Sequence, residues 1–205
     1  MHITKLKKSF DKKEFKIGAS YLKLICWYFT SLLFFRSGLI PFSNVLVFIL
    51  RLFGAKIGTD VRIKPHIHIK YPWKLQIGDH CWLADCYIEN LDQVVIGNNV
   101  CLSQQCMLLT GNHNYSLQTF DLITQPVILN DGVWICARAI VCPGVTAQSH
   151  AVLTTGSVAT KNLLSHFIYA GIPAVKSKIR KLYNWYNCLY LRFIATYYMF
   201  FSCHK

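Results

Sequence analysis

From Ile57 to Lys161 aliphatic residues return every six positions, a spacing that is neither the 3.6-residue period of a helix nor the two-residue period of a strand. The clearest run starts hexads at Leu129, Ile135, Val141, Ala147 and Leu153, and earlier ones start at Ile57, Ile63, Ile77, Leu83, Ile96 and Leu102. Their fifth positions are small or β-branched: Val61, Ile67, Val100, Val133, Ala139, Val145, Ala151 and Ser157. Six residues make one short strand and one turn, so three hexads close a triangular coil whose aliphatic side chains stack on those of the next. One coil cannot bury its own core, and roughly five or six coils fit between residues 57 and 161. The pattern predicts an all-β solenoid, a parallel β-helix. Register breaks between 63 and 77 and between 83 and 96 predict small insertions, and the jump from Leu108 to Leu129 predicts a projecting loop over 109–127.

The flanks read differently. Residues 1–56 combine a basic arm with apolar helices. Tyr21, Leu24, Ile25, Tyr28, Leu32 and Phe35 recur at steps of three and four, Pro41 breaks the run, and a second apolar stretch extends from Val45 to Phe53. Lys23 and Arg36 interrupt the first run and both are short for a membrane span, which leaves helices that cap the core or lie on a bilayer. Residues 162–205 form a basic tail followed, from Ile179, by an aromatic helix with Arg192 as its internal charge. A helix apolar on all sides needs burial, against another subunit, the first segment or a membrane interface.

Charge and cysteine content narrow the setting. Twenty-two Lys and Arg against nine acidic residues give a formal charge of +13, which points to an anionic partner. The basic residues crowd Lys5 to Lys16 and Lys176 to Lys181, each beside an apolar segment, a pattern that favours an anionic membrane surface or a phosphorylated ligand over nucleic acid. The cysteines number nine, an odd count, and no signal-peptide cleavage pattern precedes them, so they are expected to be reduced thiols of a cytoplasmic protein.

Several stretches carry a resemblance. RLFGAKIG at 51–58, YPWKLQIGD at 71–79, LTGNHNYSLQTFDLITQPV at 109–127, VWICARAIVCPGV at 133–145 and the tail YAGIPAVKSKIR resemble, in this order, the hexapeptide-repeat acyltransferases of the colanic acid biosynthesis acetyltransferase type. The resemblance implies a left-handed parallel β-helix with flanking helices, a homotrimer with active sites between subunits, and O-acetyl transfer from acetyl-CoA to a sugar hydroxyl in exopolysaccharide or surface-glycan synthesis. The implied acceptor is free or lipid-linked, and no metal is implied.

Such a transfer needs a base for the hydroxyl proton, a donor for the developing oxyanion and a cradle for CoA. His113 in TGNHNYS resembles the catalytic histidine of galactoside and maltose acetyltransferases, and an exposed loop histidine is the plain alternative. The resemblance places the oxyanion donor near Ala137, with Trp134 either a wall of the site or a packing aromatic. It points to Ala137, Thr155, Gly156, Thr160, Lys161 and Lys178 for CoA. On the acceptor side it points to Asp85, with Asn112, Asn114 and Tyr115 flanking the base. An Asp in such a turn also has a purely structural use. The pattern departs from the family where Asn130, Cys136, Cys142, Gln148 and Thr154 replace the usual second-position glycine, where Ala147 replaces a larger aliphatic, and where Val175 replaces a basic residue after GIPA.

Beside this reading, and beside acetylation of a small-molecule acceptor by the same enzyme type, stand three rival readings. The fold also hosts metal hydratases resembling γ-class carbonic anhydrases, with histidines contributed across a trimer interface, for which His66, His68, His80 and His113 would supply the imidazoles. A scaffold held at a membrane by its aromatic ends would have no turnover. A covalent acetyl-cysteine route would need a reactive thiol, whereas Cys81 and Cys106 at fifth positions and Cys136 and Cys142 at second positions read as small packing residues.

Overall fold

The computed structural model describes residues 3, 4, 6 and 15–183. The aromatic C-terminal helix expected beyond Ile179 lies almost wholly outside the described residues.

The six-residue period builds a parallel β-solenoid of about six turns with three faces. The first face stacks Lys56–Ile57, Leu75–Ile77, Val94–Ile96, Val127–Leu129 and Thr146–Ala147. The second stacks Arg62–Ile63, Trp82–Leu83, Cys101–Leu102, Trp134–Ile135, Val152–Leu153 and Phe167–Ala170. The third stacks His68–Ile69, Tyr87–Glu89, Met107–Leu109, Ile140–Val141 and Val158–Ala159. Register is direct: Ile57, Ile77 and Ile96 are successive partners on the first face, as Leu83, Leu102 and Ile135 are on the second. Apart from the half-buried Ile57, every first-position aliphatic is buried, so each coil closes on the column of Ile, Leu and Val that the period marks.

Two column-specific rules govern the corners. At the corner between the first and second faces, Asp60, His80, Asn99, Gly132 and His150 all take positive φ, which Asp, Asn, His and Gly tolerate best. Just before them, Asp79 Oδ1 accepts from the Thr59 N–H at 2.6 Å, Asn98 Oδ1 from the Asp79 N–H at 2.8 Å, and Asp131 Oδ1 from the Asn98 N–H at 2.7 Å. Gly58, Gly78 and Gly97 lie directly under these acceptors, with no room for a Cβ.

The register breaks have a common location. Residues 70–74, 90–93 and 110–126 are all insertions at the corner between the third face and the next coil's first face. A second irregularity is a deletion: Leu83 to the buried Ile88 takes five steps where Ile63 to Ile69 and Leu102 to Leu108 take six. Cys86 thereby fills the buried fifth place, and Asp85 sits in a shortened turn.

At the open N-terminal end, α1 (Tyr21–Thr30), a π-helical turn (Ser31–Arg36) and α2 (Ser43–Leu52) cap the first coil. The stripe expected from Tyr21 to Phe35 is not the buried one. Trp27, Ser31 and Phe35 face inward, while Tyr21, Tyr28 and Leu32 face out. The helix is apolar on nearly every side, so periodicity could not choose its face. Trp27 decides it, because its ring packs on Phe35 and Phe53 and its Nε1 donates to the Ile69 carbonyl at 3.1 Å. At the other end, the basic tail is an added strand: Val175–Ile179 pairs antiparallel with Phe167–Ala170.

Candidate active site

The largest insertion folds into a hairpin, Gly111–His113 against Leu122–Thr124, with His113 opposite Leu122. Gly111 at its base lies against the Leu91 side chain, whose tip would have to shift to admit a Cβ. The His113 Nδ1 lies 2.8 Å from the Phe120 carbonyl oxygen. A carbonyl can only accept, so Nδ1 carries the proton, and in the neutral ring the basic lone pair is fixed on Nε2. The Phe120 ring stacks on the imidazole at 4.5 Å and 9°, which holds the plane as well as the tautomer. The neighbours lock the loop: Asn112 Oδ1 accepts from the His113 N–H at 2.8 Å and Asn114 Oδ1 from the Ser116 N–H at 3.0 Å. Both carboxamide oxygens are thus committed to the turn, while Tyr115 stands exposed.

The other expected residues collect elsewhere. Ala137, Thr155 and Gly156 share the corner between the second and third faces, where the Gly156 N–H donates to the Ala137 carbonyl at 3.0 Å. The flanking amides of Cys136 and Arg138 are bonded to Leu153 and Gln104. The Ala137 N–H has no acceptor among the described residues, as an oxyanion donor requires. Asp85 occupies the same corner two coils below Ala137, and Lys178 lies on the strand added to the second face. Trp134 points outward from that face and donates from Nε1 to the Ser103 hydroxyl at 2.9 Å. Thr160 and Lys161 follow the third face, on the corner that carries the hairpin. One chain therefore splits the residues into two groups with the third face between them. His113, Asn112, Asn114, Tyr115, Thr160 and Lys161 form one, and Asp85, Trp134, Ala137, Thr155, Gly156 and Lys178 form the other.

No family profile matches the chain. It is 33% identical over 159 residues to the WcaF protein of Escherichia coli K12, whose name assigns it to colanic acid biosynthesis as an acetyltransferase, covering 77% of this chain and 87% of that one. The chain belongs to the hexapeptide-repeat acetyltransferases, of the colanic acid biosynthesis type. It is 27% identical over 124 residues to the galactoside O-acetyltransferase of the same bacterium, covering 58% and 61% of the two chains. Its fold matches the Vibrio cholerae hexapeptide-repeat acetyltransferase VCA0836 complexed with acetyl coenzyme A, with TM-score 0.74 at 18% identity over 83% of this chain and 95% of that one. It also matches a galactoside acetyltransferase in complex with coenzyme A, with TM-score 0.68 at 19% identity over 78% and 82%.

In this acetyltransferase five thiols of the solenoid are poor nucleophiles. Burial pushes Cys136 up to about 11 and also raises Cys81, Cys101 and Cys142. The Cys106 thiol beside Cys86, and then burial, raise Cys86 well above the ordinary thiol value. A covalent route needs the thiolate that these settings suppress. Cys188 and Cys203 lie outside the described residues. The histidines of the hydratase reading are dispersed: His66 bonds the Arg36 carbonyl, His80 pairs with Asp60 at 3.0 Å, and His68 stacks on Tyr87. Among the described residues no three His, Cys, Asp or Glu converge as a metal site.

Apart from Trp134, sequence reasoning missed the outward column of the second face. Arg62, Trp82, Cys101 and Trp134 are successive cross-coil partners, and Arg62, Lys64, Trp82, Ser103 and Gln104 line a groove of about 240 Å³ beside the Asp85 turn. The signal was present. Each of Arg62, Trp82, Cys101 and Trp134 precedes a first-position aliphatic, and the alternation of a strand turns that position outward.

Proposed function

We propose that this acetyltransferase moves an acetyl group from acetyl-CoA to a sugar hydroxyl of a bacterial exopolysaccharide or surface glycan, with His113 as general base. The observation that carries the reading is the fixed tautomer of His113, which places the lone pair of the neutral ring on Nε2 in a loop projecting from a rigid solenoid. Nε2 removes the hydroxyl proton, and the alkoxide attacks the thioester carbonyl. The oxyanion of the tetrahedral intermediate meets the Ala137 N–H, and collapse breaks the C–S bond. The leaving thiolate takes the proton from the imidazolium, which returns His113 to its starting form and releases CoA. The Phe120 carbonyl stabilises the imidazolium while it exists. Support for donor and acceptor comes from the names of the similar proteins, which include complexes with acetyl coenzyme A and coenzyme A and a galactoside O-acetyltransferase.

The division between two corners favours a site assembled between copies. In a homotrimer the hairpin of one copy, with Thr160 and Lys161, meets the Asp85–Ala137–Gly156 corner of its neighbour. Asp85 then receives a sugar hydroxyl, Trp134 walls the cleft, the small Ala137 and Gly156 admit the pantetheine arm, and Lys161 and Lys178 face the CoA phosphates. No helix among the described residues is long and apolar enough to cross a membrane. The exposed apolar residues of α1 and the basic arm before it suit a peripheral position on the cytoplasmic face of the membrane, where lipid-linked glycans are assembled.

The test is incubation with acetyl-CoA and a panel of free and lipid-linked oligosaccharides, read by mass spectrometry. The expected product is a glycan heavier by one acetyl group that mild base removes, as an O-ester requires. Base-stable acetylation, or acetylation of non-sugar alcohols alone, contradicts the proposal.

A further inference from the structure

Beneath the π-helical turn is a cavity of about 540 Å³ that the acetyl-transfer chemistry does not use. Its roof is α1 and the π turn, and its floor is the outer side of the third face in the first two coils. Leu24, Ile25, Trp27, Tyr28 and Phe29 supply an apolar wall. His68 and Tyr87, stacked at 4.3 Å and 7°, supply a flat floor. The volume is that of a small-molecule site.

Polar groups gather in the same cavity. The Ser31 hydroxyl is buried and has no hydrogen-bond partner among the described residues, an expensive arrangement in an apolar pocket and an ordinary one beside a ligand oxygen. Ser31 opens the π turn, an irregularity that is frequent at functional sites. Lys70 is neutralised by Glu89 at 3.1 Å, whereas Arg36 forms no ion pair among the described residues. A cation and a hydroxyl that have no partner among the described residues, beside an apolar wall, form the complement of a ligand with a single anionic head and a hydrocarbon body. Tyr28 and Phe29, which line the cavity, are themselves exposed, so a chain longer than the cavity continues over apolar surface.

We infer that this cavity binds an anionic amphiphile, an alkyl or prenyl chain carrying a phosphate, with the phosphate on Arg36 and Ser31 and the chain against α1. The inference does not depend on the acetyl-transfer reading. His68 supplies an independent reporter. It is held down to about 4 by burial, then by Arg36 and Lys70, with Glu89 opposing, and a phosphate seated beside Arg36 pulls it back up.

The test is calorimetric titration of the full chain with dodecyl phosphate below its micellar concentration, beside inorganic phosphate and a neutral dodecyl glycoside. Expected are saturable one-to-one binding of dodecyl phosphate, none of inorganic phosphate at equal concentration, and a His68 proton NMR titration midpoint that rises with ligand. Arg36→Gln is expected to weaken dodecyl phosphate by about tenfold or more without weakening the neutral glycoside. It should leave CoA release with a water-soluble acceptor unchanged, which separates this site from the His113 chemistry. Ser31→Leu, which removes the hydroxyl and crowds the cavity beside it, is expected to weaken binding by about tenfold or more, and a thermal melt identifies whether it is folded. Vesicles of phosphatidylglycerol form the last arm: displacement of dodecyl phosphate identifies bilayer lipid as the source, and its absence identifies a single-chain carrier phosphate. Absence of saturable binding, or binding indifferent to Arg36→Gln in the folded protein, overturns the inference.

Discussion

Gly78→Ala tests how the coils are spaced. Gly78 has no positive φ, so alanine meets no backbone strain at this site. A Cβ there would instead lie 2.5 Å from Asn98 Oδ1 and 2.8 Å from the carbonyl carbon and oxygen of Gly97 in the next coil. Relief requires the two coils to separate by roughly 0.5 Å or more, since the neighbouring strands already sit at the ~4.8 Å of a hydrogen-bonded ladder. Separation stretches the Asp79 N–H to Asn98 Oδ1 bond of 2.8 Å and the Gly78 N–H to Ile96 carbonyl bond of 2.8 Å. Overpacking of about 1–3 kcal/mol and a weakened hydrogen bond of about 1 kcal/mol give an expected loss of roughly 2–4 kcal/mol. Gly156→Ala is the matched control, because Gly156 has φ +69° and an added methyl there would meet nothing within 4 Å, so it costs only about 1 kcal/mol of left-handed strain. Urea unfolding at one fixed protein concentration measures both. If Gly78→Ala costs no more than Gly156→Ala, close contact between coils is not what selects glycine in this column.

Other outcomes follow from the same geometry. If the site is shared between copies, His113→Ala and Ala137→Trp are each inactive alone, yet co-expressed in equal amounts they recover about a quarter of wild-type activity, since half the hairpins meet half the intact corners. No recovery would place the whole site within one chain. His68 titrates near 4 in the folded protein and near 6.5 unfolded, so above pH 6.5 it contributes nothing and between 6.5 and 4 the unfolded state binds the extra proton. Stability is therefore expected to fall across that window by about 1–2 kcal/mol, after discounting for partial exposure, and His68→Phe should remove that part of the loss. Parallel loss in both proteins would show the shift to be absent. Iodoacetamide at neutral pH is expected to label the exposed Cys26 in the folded protein while sparing Cys86 and Cys136, as peptide mapping would show. Rapid labelling of Cys136 would reopen the covalent route.

Much of the fold was written in the inward positions, because a residue such as Ile135 or Leu153 must be aliphatic wherever coils stack. The hexads of the third face at Ile69, Ile88 and Leu108 were harder to see. The shortened turn from Leu83 to Ile88 and the insertions at one corner break the count around them. The facing of α1 was illegible because its apolar residues surround the axis, and only the Trp27 bond to Ile69 selects a side. At the site, His113 was visible through its loop motif, but its orienting partner is the backbone carbonyl of Phe120, and a backbone carbonyl has no letter. The separation of His113 from Asp85 and Ala137 follows from which corner each turn occupies, a fact that appears only once the faces are assigned.

The central claim is that the lone pair which the Phe120 carbonyl fixes on His113 Nε2 takes the proton from the acceptor hydroxyl. The direct measurement is CoA release from acetyl-CoA by wild type and His113→Ala, with a glycan acceptor at saturation and folding verified by circular dichroism. Loss of about a hundredfold or more in kcat is the predicted result. A folded His113→Ala protein that turns over within about threefold of wild type would contradict the account.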